Sequence, residues 1–119
     1  LRMYLENYKP YFALEFLKQT EKRQHLKKIL ANKIKLLCEN PYANCKSKML
    51  VGELKGFRSA RVTKSFRIIF TICEECRNRK LQNFVGCSNA ICKQMNIKTI
   101  IFLTFGTHDM AYFKKPSLK

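Results

Sequence analysis

Six cysteines, two histidines and a large excess of arginine and lysine are the side chains here with chemistry to offer. Four of the cysteines form two close pairs. Cys73-Glu74-Glu75-Cys76 is a C-x2-C pair, and after ten intervening residues Cys87 opens a C-x4-C pair with Cys92. Two such pairs joined by a short loop suit tetrahedral zinc, each supplying two thiolates from a tight turn, and Gly86 beside Cys87 fits such a turn. The expectation is a structural Zn²⁺ held by Cys73, Cys76, Cys87 and Cys92, with no coordination position left for catalysis. The alternatives are four thiols without metal, or disulfides. A redox C-x-x-C is disfavoured because Cys73 ends a predicted strand and does not open a helix. Cys38 and Cys45 flank Asn40-Pro41 and read as plain buried or half-buried thiols.

A second group of residues has the right types for cutting RNA without a metal. That reaction needs a base to take the 2′-hydroxyl proton, cations to hold the charge that builds on the phosphate, and an acid for the leaving 5′-oxygen. His108 can act as acid or base near neutral pH. Arg61 and Arg67 can clamp phosphate oxygens bidentately. Tyr112 follows His108 by four residues, so a helical turn would face both the same way, and its ring can stack on a base. Each has a structural alternative: His108 satisfying a turn, Tyr112 a core aromatic, Arg67 an ordinary exposed strand arginine. His25 lies among lysines and reads as exposed.

Charge points to the same substrate class. Twenty-four Lys and Arg against eight Asp and Glu give +16 over 119 residues. Self-repulsion on that scale costs stability, and a polyanionic partner offsets it. The expected partner is a nucleic acid, RNA above all. A membrane surface is disfavoured: the chain has no apolar run near 18 residues, no basic amphipathic anchor and no lipidation motif. The start, Leu1-Arg2-Met3-Tyr4, is polar by residue 6, unlike a signal peptide, and the missing initiating Met predicts a trimmed N-terminus. A cytoplasmic address follows. Hydrophobic residues make up 46%, enough for one core, and the length suits a single domain, residues 1–119.

The elements that would carry these residues change period half-way along. A weak strand over 1–7 ends at Tyr8-Lys9-Pro10. Pro10 suits the first turn of a helix running to Gln19, with Phe12, Ala13, Phe16 and Leu17 at helical spacing. Thr20 could cap a second helix, from Glu21 to about Glu39, whose apolar stripe is Leu26, Ile29, Leu30, Ile34 and Leu37. Its other faces carry basic residues, Lys27 and Lys28 among them, suited to gripping an RNA backbone. Asn40-Pro41 stops it. Strands follow over 58–62, 66–73 and 98–105. Phe66, Ile68, Phe70 and Ile72 share the face toward the helices, while Arg67, Ile69 and Thr71 point to a second face left open or partly covered. The strand over 98–105 is apolar on both faces, as a central strand should be. A polar insert over 74–97 is too long for a plain hairpin turn. The whole is an α+β domain: two N-terminal helices on a small antiparallel meander, with a zinc-stapled insert.

The run Leu54-Lys55-Gly56-Phe57-Arg58-Ser59-Ala60-Arg61-Val62, then Ser65-Phe66-Arg67-Ile68-Ile69-Phe70, resembles the strand pair of the RelE/ParE toxin superfamily. The ending Gly106-Thr107-His108-Asp109-Met110-Ala111-Tyr112 is similar to that family's closing element, in a form close to the YafQ branch. The resemblance covers nearly the whole chain except the insert. It implies a compact antiparallel sheet flanked by two helices, and a toxin neutralised by an antitoxin that cuts mRNA in the ribosomal A site. It assigns functional positions to Arg61, Arg67, His108 and Tyr112, with Lys55, Arg58 and Lys64 as weaker RNA contacts. Other members act on gyrase or have no nuclease activity, so a non-catalytic RelE-fold protein docking on ribosomal RNA is the alternative. Two departures put the base in question. Ala60 and Arg58 stand where some relatives have a basic and an aromatic residue, and no acidic base is evident unless Glu53 serves.

Overall fold

The computed structural model describes residues 7–50, 57–78 and 95–107. Its first element is a strand, β1 (Lys9–Phe12), followed by α1 (Leu14–Glu21), a 3-10 turn (Gln24–Leu26), α2 (Lys27–Glu39) and a second 3-10 turn (Asn44–Lys46). Then come β2 (Lys48–Met49), β3 (Arg58–Arg61), β4 (Phe66–Ile72), α3 (Cys73–Asn78) and β5 (Thr99–Thr107). The five strands form one sheet in the order β1-β5-β4-β3-β2. The β2, β3, β4 and β5 pairings are antiparallel, but β1 lies parallel to β5. The expected antiparallel meander is present as β3-β4-β5, and β1, parallel to β5 at one edge, makes the whole sheet mixed.

Pro10 opens no helix; it sits in β1. The Lys9 N–H donates to the carbonyl of Lys98, just before β5, and the Ala13 N–H to that of Phe102 in β5 (2.8 and 2.9 Å). N–H direction alternates along a strand, so Pro10 falls where an N–H would point away from the sheet, and an edge strand tolerates that. Pairing with a long central strand outweighs the local suitability of Pro for a first helical turn. The second helix is also shorter than expected. The Thr20 hydroxyl donates to the Phe16 carbonyl inside α1 (2.9 Å) and caps nothing. Arg23, at φ −128° and ψ 57°, breaks the chain before α2. The stop at Asn40-Pro41 is as read: the Asn40 Oδ1 accepts from the Tyr42 and Ala43 N–H groups (3.1 and 3.3 Å), an Asx turn.

One core lies between the helices and the sheet. Phe16, Leu30 and Leu37 pack against Ile68, Phe70, Ile72, Ile100, Phe102 and Phe105. This is the face to which alternation assigned Phe66, Ile68, Phe70 and Ile72. A second core forms on the other face, where Ile69, Ile101 and Leu103 meet Ala13, Phe57, Cys73 and Cys76. Ile69 and Leu103 are fully buried, so the face expected to be open or partly covered is covered along its middle. Alternation does place Ile69 on that face; what covers it is brought from distant parts of the chain. A bulge between Ile69 and Phe70 makes Leu103 the extra residue on β5 and bends the sheet there. Among the described residues, no helix is long and apolar enough to cross a membrane.

Candidate nucleic-acid interface

The residues best suited to hold a phosphate lie at one end of the sheet, where β3 turns into β4 and β5 ends. Arg61 on β3 is directly opposite Arg67 on β4, and Arg67 is directly opposite Gly106 on β5. Directly opposed residues project to the same face. Ala60 and Ile68, one step along, belong to the helix-facing core, so Arg61 and Arg67 stand on the other face, both half-buried. Two like charges opposed in this way destabilise a sheet unless an anion sits between them. The Arg61 Nε is buried without a hydrogen-bond partner among the described residues, a further cost that an incoming oxygen would remove. Gly106 completes the row. A glycine inside a strand offers no Cβ, so a ligand can approach the backbone beside Arg67.

The turn that joins β3 and β4 is fixed locally. The Val62 N–H donates to the Phe66 carbonyl (3.0 Å), and the Thr63 Oγ1 accepts from the Ser65 and Phe66 N–H groups (3.3 and 3.2 Å). Lys64 is exposed on this turn, three residues from each arginine. Lys27 and Lys28 are exposed on the first turn of α2. Thr107, the last residue of β5, pairs with Phe66, next to the Arg67–Gly106 pair, and His108 follows it in the sequence. His108, Tyr112 and Lys55 themselves lie outside the described residues, as do Cys87 and Cys92.

Arg58 stands apart from this row. It pairs with Phe70, on the helix-facing side, and its guanidinium is taken by the Glu75 carboxylate in a fork (Nε to Oε1 2.9 Å, second contact 3.1 Å). It also donates to the Ser47 Oγ (3.3 Å) and lies over the Tyr42 ring at 5.0 Å. With side-chain exposures of 13% and 11%, the pair is a half-buried clip between β3 and α3. Glu74, beside it, accepts from the hydroxyls of Tyr8 (3.1 Å) and Tyr42 (2.9 Å). Burial, reinforced by the Glu74 carboxylate, raises both phenols above their ordinary value. Burial also raises the thiols of Cys38 and Cys45, which keeps them in the unreactive form.

Cys73 opens α3; it does not close a strand. The ground on which a redox C-x-x-C was set aside is therefore removed, although at six residues α3 is short. Cys73 and Cys76, three apart on α3, share a face and are both buried in the second core.

Sequence reading missed two features of this end. Gly106 was seen only as part of a motif, although a lone glycine in an apolar strand pattern signals close backbone approach. Arg23 carries no signal in the sequence that sets it apart from the neighbouring cations Lys22, Lys27 and Lys28. It lies over the rings of Phe66 and Phe105, at 5.2 and 5.8 Å from their centroids.

No family model and no curated protein matches the sequence. Solved structures do match the fold. YafQ from E. coli superposes with a TM-score of 0.59 at 17% identity, over 88% of this chain and 98% of that one. The YoeB/ParE toxin from Agrobacterium tumefaciens gives 0.59 at 15% identity, over 84% and 98%. The toxin–antitoxin complex RelBE2 from Mycobacterium tuberculosis gives 0.56 at 17% identity, over 87% and 100%.

Proposed function

We propose that this chain, which has the fold of the RelE/ParE toxins, is the toxin of a toxin–antitoxin pair and cuts mRNA on the ribosome. The observation that carries this reading is the row Arg61–Arg67–Gly106 at the strand end that runs into His108. Arg61 and Arg67 would grip the non-bridging oxygens of one phosphate. Gly106 would let the backbone come close. A base removes the proton from the adjacent 2′-hydroxyl, whose oxygen attacks phosphorus. The bond from phosphorus to the 5′-oxygen breaks, and that oxygen takes a proton from an acid. The products are a 2′,3′-cyclic phosphate and a 5′-hydroxyl. His108 is the residue proposed for proton transfer, and Tyr112 for stacking on a base or contacting the phosphate. The two arginines would act mainly in the transition state, where the phosphate carries most charge.

The basic residues outside the row fit the same substrate. Lys27 and Lys28 occupy the first turn of α2, which has no acidic residue. The helix dipole disfavours cations there, so an anion that docks on them relieves a standing repulsion. Lys64, and Lys55 from the preceding segment, are proposed backbone contacts. A partner antitoxin follows from the same reading, since related folds are solved in complex with one.

We propose in addition that Cys73 and Cys76 hold a structural zinc with Cys87 and Cys92. Two buried thiols on one face of α3 suit half of such a site. The metal would fix the insert and take no part in cleavage.

The deciding experiment adds the protein to translating ribosomes and sequences the new RNA ends. Cleavage with 5′-hydroxyl ends is expected, and His108→Ala should abolish it while ribosome binding stays within about twofold. Ribosome binding with no new ends would make this a non-catalytic RNA-binding relative.

A further inference from the structure

The core-facing side of α1 changes character along its length. Phe16 is buried; the same stripe goes on to Gln19, and Arg23, just past the end of α1, lies over Phe66 and Phe105 where an apolar residue would cover them equally well. Gln19 is only 9% exposed. Its amide Nε2 donates to the Glu15 carboxylate (2.5 Å), which turns its Oε1 to accept from Arg23 NH1 (2.8 Å). The same nitrogen donates to the Gln19 carbonyl (3.2 Å). With the guanidinium lying over two aromatic rings, Arg23 is held in one place by both its hydrogen bonds and its flat face. A half-buried polar relay of this kind, centred on the buried Gln19, is costly unless its members are satisfied, and here it serves to fix one cation.

The place matters. Phe66 is the first residue of β4 and pairs with Thr107, next to the Arg67–Gly106 pair. Arg23 therefore lies at the same sheet end as Arg61 and Arg67, but on the helix side, just before the turn that leads to Lys27 and Lys28. Cations thus border the strand end on both faces, with Lys64 on the turn between them.

We infer that Arg23 is a second phosphate contact: it binds the RNA backbone phosphate next to the one held by Arg61 and Arg67, as the strand crosses the sheet end toward Lys27 and Lys28. This rests on the functional reading above. The test uses a single-stranded RNA oligonucleotide, 2′-O-methylated throughout so that it cannot be cut. Arginine Nε–Hε resonances of the wild-type protein are followed by NMR during titration, and affinity is measured against salt for Arg23→Gln and Arg23→Lys. The Arg23 resonance should shift together with those of Arg61 and Arg67. Arg23→Gln should lower the slope of log affinity against log salt by about 0.7, one contact's worth for a single strand, and Arg23→Lys should retain the slope. A stationary Arg23 resonance while Arg61 and Arg67 shift, or an unchanged slope in a folded Arg23→Gln, overturns the inference and leaves the main site standing. If none of the three resonances moves, the proposed interface itself fails.

Discussion

Arg61 and Arg67 differ from the other described cations in one respect: they are opposed across two strands beside a glycine. Their bidentate geometry is what a phosphate in transition needs, and a lysine cannot supply it. Arg67→Lys should keep RNA affinity within a few-fold yet lower single-turnover cleavage by about 10²-fold, the scale of losing one pre-aligned donor. Equal loss of both would mean that Arg67 only binds. The candidate residues were legible from type and order in the sequence. Their sorting was not. Arg58 and Arg61 are three apart and look equivalent as letters, but the strand sends them to opposite faces, and only Arg58 meets Glu75. That depends on α3, which folds from residues far along the chain.

The elements show where local rules lose to pairing. Pro10 looks like a helix start, and the parallel edge of the sheet overrides it because β5 offers a ladder to residues 9–12. The insert also begins differently from its sequence reading. α3 is anchored by its own acids, Glu75 to Arg58 and Glu74 to Tyr8 and Tyr42. Tyr42→Phe should cost about 1 kcal/mol in denaturant unfolding near pH 8, since the bond is to a carboxylate but exposed. The fold keeps both phenols protonated. Their contribution is therefore complete below pH about 10, the ordinary tyrosine value, and is lost as pH rises above it through the raised values. Tyr42→Phe should accordingly flatten the alkaline fall in stability, and an unchanged alkaline limb would rule out that role. Zinc is tested on the same element. Native mass spectrometry should find one zinc per chain in the wild type and none in Cys73→Ser; a metal-free, folded wild type would remove the metal from the scheme.

For the whole molecule, the surplus of +16 is a force without an address. It predicts that affinity for RNA falls linearly with salt on logarithmic axes, with a slope equivalent to several phosphate contacts. Affinity independent of salt between 50 and 200 mM, a span over which such contacts normally dominate, would contradict a polyanionic partner. The sequence by itself determined the strong net positive charge, because net charge is additive and needs no geometry. It also determined the α+β class and the helix-facing core, because hydrophobic period is written locally. Tertiary structure decided the parallel edge, the second core over Ile69 and Leu103, and the clip that occupies Arg58. Each of these is a contact between residues distant in sequence, and no local pattern encodes which distant segment arrives. The proposed phosphate site belongs to both: its arginines are read from the chain, and their opposition beside Gly106 exists only once the three strands are in register.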